Sequence, residues 1–259
     1  TLVEARCVMI VKAEAIVRKS MKYGETSRIV TMYTREFGKV SLMAKGARAA
    51  KNKFGAALDA MSHCDIVFYR KEQRDLHLLS QADVIQPYRG IINDPLRLMT
   101  GFAILEFLHA SVQGEEEHAA LFDVLSDTLN ALDGGAIQPF HVLLRYLLQL
   151  AVALGIGTDF EHCVHCRATL DATRRSRPSM HFSTAHGGCT CDDCAPRSDA
   201  VSIDSSTAEL LLGLQRGEQI AECPARARRE ALHLLHRHLR AHIDGMRTVR
   251  SLHMLEAFD

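Results

Sequence analysis

The first 87 residues show the alternation of apolar and polar positions that is typical of β-strands. Five strands are predicted, over 13–21, 27–34, 39–46, 61–70 and 75–85. On the third of them Val40, Leu42 and Ala44 would share the buried face, and Lys39 and Lys45 would lie on the opposite, polar face. Because no long helix separates these strands, the pattern predicts a small closed or nearly closed β-barrel.

Beyond Pro87 the apolar residues recur at the spacing of α-helices. Asp94 and Pro95 form a good helix start, with Asp as N-cap and Pro in the first turn. Further helices are predicted over 115–132, 139–155 and 224–246, and after a cap at Asp204 or Ser205. The chain therefore divides into a barrel domain over 1–87 and a helical domain over 88–259, with a cysteine-rich insert at 160–197. The predicted fold class is multidomain α+β.

Two short cysteine motifs stand in the insert. Cys163 and Cys166 form one C-x-x-C pair, and Cys191 and Cys194 form another after 24 intervening residues. Each pair turns the backbone so that two sulfurs face one tetrahedral site, and two such pairs complete a Zn²⁺ shell. A full thiolate shell leaves no position for a reactive water, so the sequence predicts one structural zinc ion per chain.

Other nearby residues are alternative candidates for metal ligands. Cys189 lies two residues before Cys191, so on a strand it would point the same way. His162 and His165 are also close enough in sequence to replace a thiolate. A set of unliganded thiols is the simplest alternative. A redox C-x-x-C is less favoured because the βαβ context of that motif is missing.

Common catalytic motifs are absent from the sequence. The chain has no H-E-x-x-H, no G-x-x-x-x-G-K-[ST] loop and no G-x-S-x-G elbow. His238 and His242 lie one helical turn apart and could bind a metal, but a solvated basic helix face is the favoured interpretation. Cys7, Cys64 and Cys223 read as small buried hydrophobic residues. The sequence therefore predicts that the protein is not an enzyme. The alternative hypothesis is a zinc hydrolase that acts on nucleic acid.

Charge is unevenly distributed although the formal net charge is zero. Residues 1–90 contain 16 Lys and Arg against 9 Asp and Glu, whereas residues 91–162 contain 2 against 10. Six basic residues fall within 35–53, opposed only by Glu36. A basic first third is a candidate for binding a polyanion, and the alternative is a surface charge without function.

Single-stranded nucleic acids bind barrels through basic grooves with aromatic stacking platforms. Tyr23 and Phe54 lie in predicted turns and are the better stacking candidates, whereas Tyr33 and Phe37 are expected in the core. No motif that reads bases is present, so shape and charge would drive binding. The predicted DNA-binding residues are Arg18, Lys22, Arg28, Arg35, Lys39, Lys45, Arg48, Lys51, Lys53, Tyr23 and Phe54.

Two stretches resemble the bacterial RecO family of recombination mediators. The first is YGETSRIVTMYTREFGKVSLMAKGAR, residues 23–48. The second is the pattern C-x-x-C followed by G-G-x-x-C-x-x-C, which here spans residues 163–194. The resemblance implies an N-terminal OB-fold followed by a helical domain that carries the zinc insert, with Cys163, Cys166, Cys191 and Cys194 as the metal ligands.

The resemblance also implies a function. It implies binding of single- and double-stranded DNA, annealing of complementary strands, and loading of RecA, together with RecR, onto DNA coated by the single-stranded-DNA-binding protein. An RNA-binding or transcription-associated OB-fold and zinc-ribbon protein remains the alternative. No apolar run is long enough to cross a bilayer and no signal-peptide pattern opens the sequence, so a cytoplasmic protein, nucleoid-associated when bound to DNA, is expected.

Overall fold

The α+β class predicted from the sequence is confirmed. The computed structural model of the chain describes residues 8–71, 74–112, 118–170, 179–197, 199–244, 246 and 249–255. They fall into two compact units. One contains the described residues up to 93 together with 112–133, and the other contains 94–111 and the described residues from 134 onwards.

The first unit is built around a closed five-stranded barrel with the strand order β1-β2-β3-β5-β4. Its strands are β1 (Val8–Tyr23), β2 (Ser27–Thr34), β3 (Gly38–Ala44), β4 (His63–Lys71) and β5 (Leu76–Gln86). β1 is longer than the strand predicted over 13–21 because it pairs with two neighbouring strands. Its first half pairs antiparallel with β4 and its second half with β2, with an irregularity between Val17 and Lys19. A bulge of this kind bends the strand and helps to close the barrel.

The barrel core is apolar and follows the alternation in the sequence. Val40, Leu42 and Ala44 of β3 are buried, as predicted, whereas Lys39, Ser41 and Met43 are only partly buried. Side chains from all five strands join them in one cluster. Tyr33 is buried and Phe37 packs against this cluster, as expected for core residues.

The loop after β3 also contributes to the core, which the sequence did not reveal. Phe54 is only 3% exposed, so the prediction of an accessible stacking ring at this position was wrong. The side-chain oxygen of Asn52 accepts the backbone N–H groups of Phe54 and Gly55 and turns the chain inward. The 3₁₀-helix Gly55–Leu58 follows and adds Ala57 and Leu58 to the same core cluster.

Two helices belong to the barrel unit. They are α1 (Arg89–Ile92) and α3 (Ala119–Gly134). The Asp133 carboxylate accepts the backbone N–H of Ile91, and the ring of His63 lies 5.8 Å from that of Phe122. Residues 118–133 thus belong to the same unit as the barrel, and the domain boundary at 87 stays a prediction.

The second unit combines helices with a small sheet. Its helices are α2 (Pro95–Ser111), α4 (Pro139–Ala153), α5 (Ser205–Gln215), α6 (Ala225–His242) and α7 (Arg250–Leu255). Asp94 caps α2 by accepting the N–H groups of Leu96 and Arg97, and Asp204 caps α5 by accepting that of Ser206. α4 buries most of its residues, in agreement with its predominantly apolar sequence. No helix in the part of the chain that the structure describes is long and apolar enough to span a membrane.

The sheet has the order β7-β6-β8, from β6 (Ser179–Ser183), β7 (Gly188–Thr190) and β8 (Val201–Asp204). β6 and β7 form an antiparallel hairpin. Gly187 in its turn has φ +67°, and a Cβ there would lie 2.9 Å from Cε1 of His238. A side chain at this position would therefore meet both backbone strain and a steric clash.

His238 is not part of a solvated helix face, and that interpretation was wrong. Its side chain lies in the interior, and its two ring nitrogens lie 3.1 Å from the Thr184 carbonyl and 2.7 Å from the Ile156 carbonyl. Burial lowers the pKa of this imidazole. His242 is exposed and contacts the Ala185 carbonyl, so both histidines fasten α6 to neighbouring backbone.

We predict that Phe54→Ala destabilises the barrel, because it removes a buried ring and leaves a cavity in the core. The expected loss is about 3–5 kcal/mol of unfolding free energy, measured by urea denaturation. Tyr23→Ala is the matched control, since Tyr23 is 51% exposed and should change stability by only about 0.5 kcal/mol. Equal losses for the two variants would contradict the placement of Phe54.

Candidate metal centre and nucleic-acid interface

The first cysteine pair lies in a tight backbone turn. The N–H of Cys163 donates to the Ala168 carbonyl at 2.8 Å, and the N–H of Arg167 donates back to the Cys163 carbonyl at 2.9 Å. Arg167 adopts φ +62°, which reverses the chain directly after Cys166. The turn brings the side chains of both cysteines to the same side.

The second pair forms a similar turn directly after β7. The N–H groups of Cys194 and Ala195 both donate to the Cys191 carbonyl, at 3.1 and 2.9 Å. The two turns are held together because the N–H of Val164 donates to the carbonyl of Cys189 on β7, at 3.0 Å. Backbone hydrogen bonds alone thus place both cysteine pairs at one location.

The sulfur atoms of Cys163, Cys166, Cys191 and Cys194 all lie within 4.8 Å of one another. The Sγ atoms of Cys166 and Cys191 are 3.7 Å apart. Four sulfurs at the Zn–S bond length around one ion would be separated by about 3.8 Å, so the spacing fits a tetrahedral metal shell. None of the described cysteines is in a disulfide. Among the described residues this is the single cluster of cysteine, histidine and carboxylate groups suited to a metal.

The electrostatics of the cluster also favour a cation. Burial would raise the pKa of Cys163, but the backbone N–H groups of Cys166, Cys191 and His165 surround its sulfur and bring the pKa to about 6. The thiol of Cys191 beside Cys194 raises the pKa of Cys194 to about 12. Neighbouring thiolates repel one another, and a divalent cation between them would remove that penalty. The four cysteines can therefore hold a metal ion when all are deprotonated.

Asp159 organises the backbone that leads into the first turn. One carboxylate oxygen accepts the N–H groups of Glu161 and His162, and the other accepts from the Arg167 guanidinium at 2.8 Å. Burial would raise the pKa of Asp159, but these donors hold it below its usual value. Its own carbonyl accepts the N–H of Cys189. One residue thus ties together the turn, the hairpin and the approach to the cluster.

Cys189 and the two nearby histidines lie outside the group of four sulfurs. Cys189 is fully buried on β7, whereas Cys191 follows the end of the strand and lies in the turn. Strand alternation therefore does not extend to Cys191, and the two sulfurs do not share a face. His165 instead packs its ring against that of His186, with the ring centres 4.6 Å apart.

The basic residues of the barrel are brought together by two loops. The backbone N–H of Arg48 donates to the Thr26 carbonyl, and its guanidinium donates to the Gly24 carbonyl at 3.0 Å. These bonds fasten the loop after β3 to the turn between β1 and β2. Several predicted residues are exposed around this contact, namely Lys22, Tyr23, Lys45, Arg48, Lys51 and Lys53.

Other predicted DNA-binding residues have partners within the barrel unit. Arg35 forms ion pairs with Glu14 and Asp123, and Arg28 lies 3.6 Å from the carboxylate of Asp59. Lys39 is partly buried, with its ammonium 3.4 Å from the Val112 carbonyl. Arg18 is also only partly exposed, next to the irregularity in β1. The accessible positive charge therefore comes from the loops and strand ends.

Comparison with known proteins gives a consistent family assignment. The profile of the recombination protein O N-terminal domain matches residues 9–88, and that of its C-terminal domain matches residues 92–252. The chain belongs to the RecO family. A DNA repair protein RecO from Streptomyces avermitilis is 34% identical over 247 residues, which cover 92% of this chain and 96% of the relative. A relative of the same name from a Nocardioides species is 34% identical over 240 residues, covering 91% and 96%.

The RecO assignment agrees with the barrel, the helical region and the cysteine cluster, but the sequence missed one part of the surface. Tyr69, Lys71 and Arg74 line a cavity together with Lys45, the only one of these four in the predicted set. The signal was available in the alternation of β4, where Phe68 is buried and Tyr69 faces the other way.

We predict that Cys191→Ser lowers both metal content and stability, since it removes one of four converging sulfurs. Zinc released by a thiol-blocking reagent and detected with a chromogenic chelator should fall from about one ion per chain to well below one. Cys189→Ala is the control, because it empties a small buried volume but leaves the four sulfurs intact. Equal zinc loss in both variants would show that the ligand set is wrong.

Proposed function

We propose that this RecO family member binds single- and double-stranded DNA and anneals complementary strands in recombinational repair. The observation that carries the proposal is the meeting of the β1–β2 turn with the loop after β3, which gathers Arg48 and exposed lysines at one end of the barrel. Such a surface can neutralise the phosphates of two strands at once. Reduced repulsion between the strands would then accelerate their pairing.

The four cysteines would hold one Zn²⁺ with a structural role. A shell of four thiolates leaves no position for an attacking water, so the proposal assigns the ion no catalytic step. It would cross-link the segment before residue 170 to the hairpin after residue 179. The proposed activity rests on binding and charge neutralisation, and it requires no catalytic residue.

The family resemblance extends the proposal to partners. RecR, the single-stranded-DNA-binding protein and, indirectly, RecA are the proposed partners, and the cytoplasm, at the nucleoid, is the proposed place of action. Mixing the protein with RecR and following RecA assembly on coated single strands tests this extension. Assembly that is equally fast without this protein would contradict it.

We predict that Lys22→Glu combined with Lys51→Glu slows annealing, because both lysines are exposed on the basic surface. Pairing of two complementary dye-labelled strands would be followed by energy transfer at several salt concentrations. If each lysine contacts one phosphate, the slope of log affinity for a single strand against log salt should become shallower by about 1.4. Lys12→Glu combined with Arg89→Glu is the control, since it makes the same charge change at exposed residues outside the predicted set.

Two results would count against the proposal. Annealing at the uncatalysed rate by the unaltered protein, with binding intact, would leave a passive nucleic-acid-binding module. Tighter binding of a matched RNA strand than of DNA would favour the RNA-binding alternative, because recognition of the 2′-hydroxyl distinguishes the two polymers.

We also predict that Arg35→Gln acts on folding rather than on DNA. This guanidinium is already paired with two carboxylates, so its loss should lower the thermal midpoint and leave the salt slope of DNA binding unchanged. Differential scanning calorimetry and a salt titration with one labelled strand provide the two readouts. A shallower slope would place Arg35 on the DNA-binding surface after all.

A further inference from the structure

On the outside of the barrel, one row of paired positions runs across all five strands, and every side chain in it is apolar or aromatic. Strand register places each member of the row opposite the next one. In order across the sheet, the members are Met21, Ile29, Met43, Leu78 and Tyr69. Their neighbours Val30, Leu42 and Phe68 are buried in the core, so alternation directs the row outward. Met21 is 45% exposed and the other four are partly exposed. A connected row of at least partly exposed apolar side chains is a candidate binding surface.

Three residues of the row, Met43, Leu78 and Tyr69, line a cavity of about 690 Å³ between β3, β5 and β4. Met43, Leu76 and Leu78 supply apolar walls, and Tyr69 supplies an aromatic ring. β3 and β5 pair in parallel over only three residue pairs, so the two strands are joined over a short length beside the cavity. A cavity with apolar walls and one aromatic ring suits a flat, apolar-faced ligand.

The rim of the cavity is predominantly basic. Lys45, Lys71 and Arg74 line it, against the single carboxylate of Asp75 among its lining residues. Lys45 and Arg74 are exposed and Lys71 is partly exposed. The ligand that fits this surface therefore combines flat rings with negative charge.

The rim continues into the basic loop after β3. The ammonium of Lys53 donates to the carbonyl of Ser80, two residues beyond Leu78 on β5. Lys53 also lies over the ring of Phe54, 5.1 Å from its centre. Positive charge thus extends from Arg74 and Lys45 at the cavity to Lys53 beside Ser80.

We infer that this cavity is a subsite for unpaired bases of single-stranded DNA, with a base stacked on Tyr69 and the flanking phosphates held by Lys45, Lys71 and Arg74. The inference rests on the proposed function and deepens it. Bases in a duplex are already paired and stacked, so only a single strand can place a base in the cavity. The subsite therefore gives the barrel a preference for single strands that a basic surface alone does not provide.

A polynucleotide explains the surface better than an acidic peptide with an aromatic residue. Such a peptide would satisfy the cavity and its rim. It would leave unexplained the continuation of cations into the loop and the apolar row that crosses β1 and β2. A single strand repeats one base and one phosphate at each step, so it matches the row and the line of cations together.

The first test compares Tyr69→Ala with Tyr69→Phe in the full-length protein. Loss of the stacking ring should weaken binding of a thymidine homopolymer by about 5- to 150-fold, whereas Phe should keep near-normal affinity. Affinity for a blunt duplex should stay within about twofold for both variants. Thermal unfolding followed by circular dichroism verifies that each variant is folded.

The second test separates the ring from the cations. Lys71→Gln combined with Arg74→Gln should make the salt dependence of single-strand binding shallower by about 1.4, whereas Tyr69→Ala should leave the slope unchanged. Photo-cross-linking of 4-thiothymidine oligonucleotides to the unaltered protein adds a readout that needs no variant. Cross-linked peptides should contain Tyr69 or Met43.

The outcomes separate the inference from the proposed function. A folded Tyr69→Ala variant with normal single-strand affinity, and cross-links confined to other surfaces, would overturn the subsite while leaving DNA binding and annealing in place. An acidic peptide that binds the cavity without competing with single-stranded DNA would also overturn it. Failure of the unaltered protein to bind or anneal any DNA would instead reject the proposed function itself.

Discussion

The double pairing of β1 is the constraint on which the barrel depends. One strand of 16 residues bonds to β4 with its first half and to β2 with its second, and this closes the sheet on itself. Closure fixes which side chains face the core and which face outward on every other strand. It also determines which turns meet, and so where the exposed cations gather. The proposed DNA surface is thus a consequence of how the sheet closes.

In the cysteine cluster, four residues supply the sulfurs and other residues hold the surrounding backbone in place. Four sulfurs converge because backbone hydrogen bonds fold each pair into a turn and join the first turn to β7. Asp159 and His238 act from outside the cluster, by fastening the loop and the hairpin to their surroundings. A metal ion would join segments that the backbone already holds close, so a stabilising role is the natural interpretation of the site.

Charge on the barrel is of two kinds. Arg28, Arg35 and Lys39 are only partly exposed; the two arginines are paired with carboxylates and Lys39 lies beside a carbonyl. The cations of the loops and strand ends remain exposed, and they border the apolar row that leads to Tyr69. A polyanion would contact these exposed cations. The exposure of each cation, rather than the count of lysines and arginines, therefore defines the candidate interface.

The sequence by itself determined the α+β class, the five strands and most of the helices, because alternation, helical spacing and capping residues such as Asp94 are local signals. It also identified the four cysteines, since two C-x-x-C turns need only local geometry to present their sulfurs. These features depend on residues that are close together along the chain.

Only the tertiary structure decided the burial of Phe54 and His238, the ion pairs of Arg35 and the cavity beside Tyr69. Each of these depends on residues far apart in sequence, which no local pattern encodes. Asn52 turns the loop locally, but the burial of Phe54 comes from packing against barrel-strand residues that are distant in sequence. Tyr69 acquires its setting from the register of β4 against β5 and of β5 against β3. Long-range pairing, and not composition, thus separates a buried ring from an exposed one.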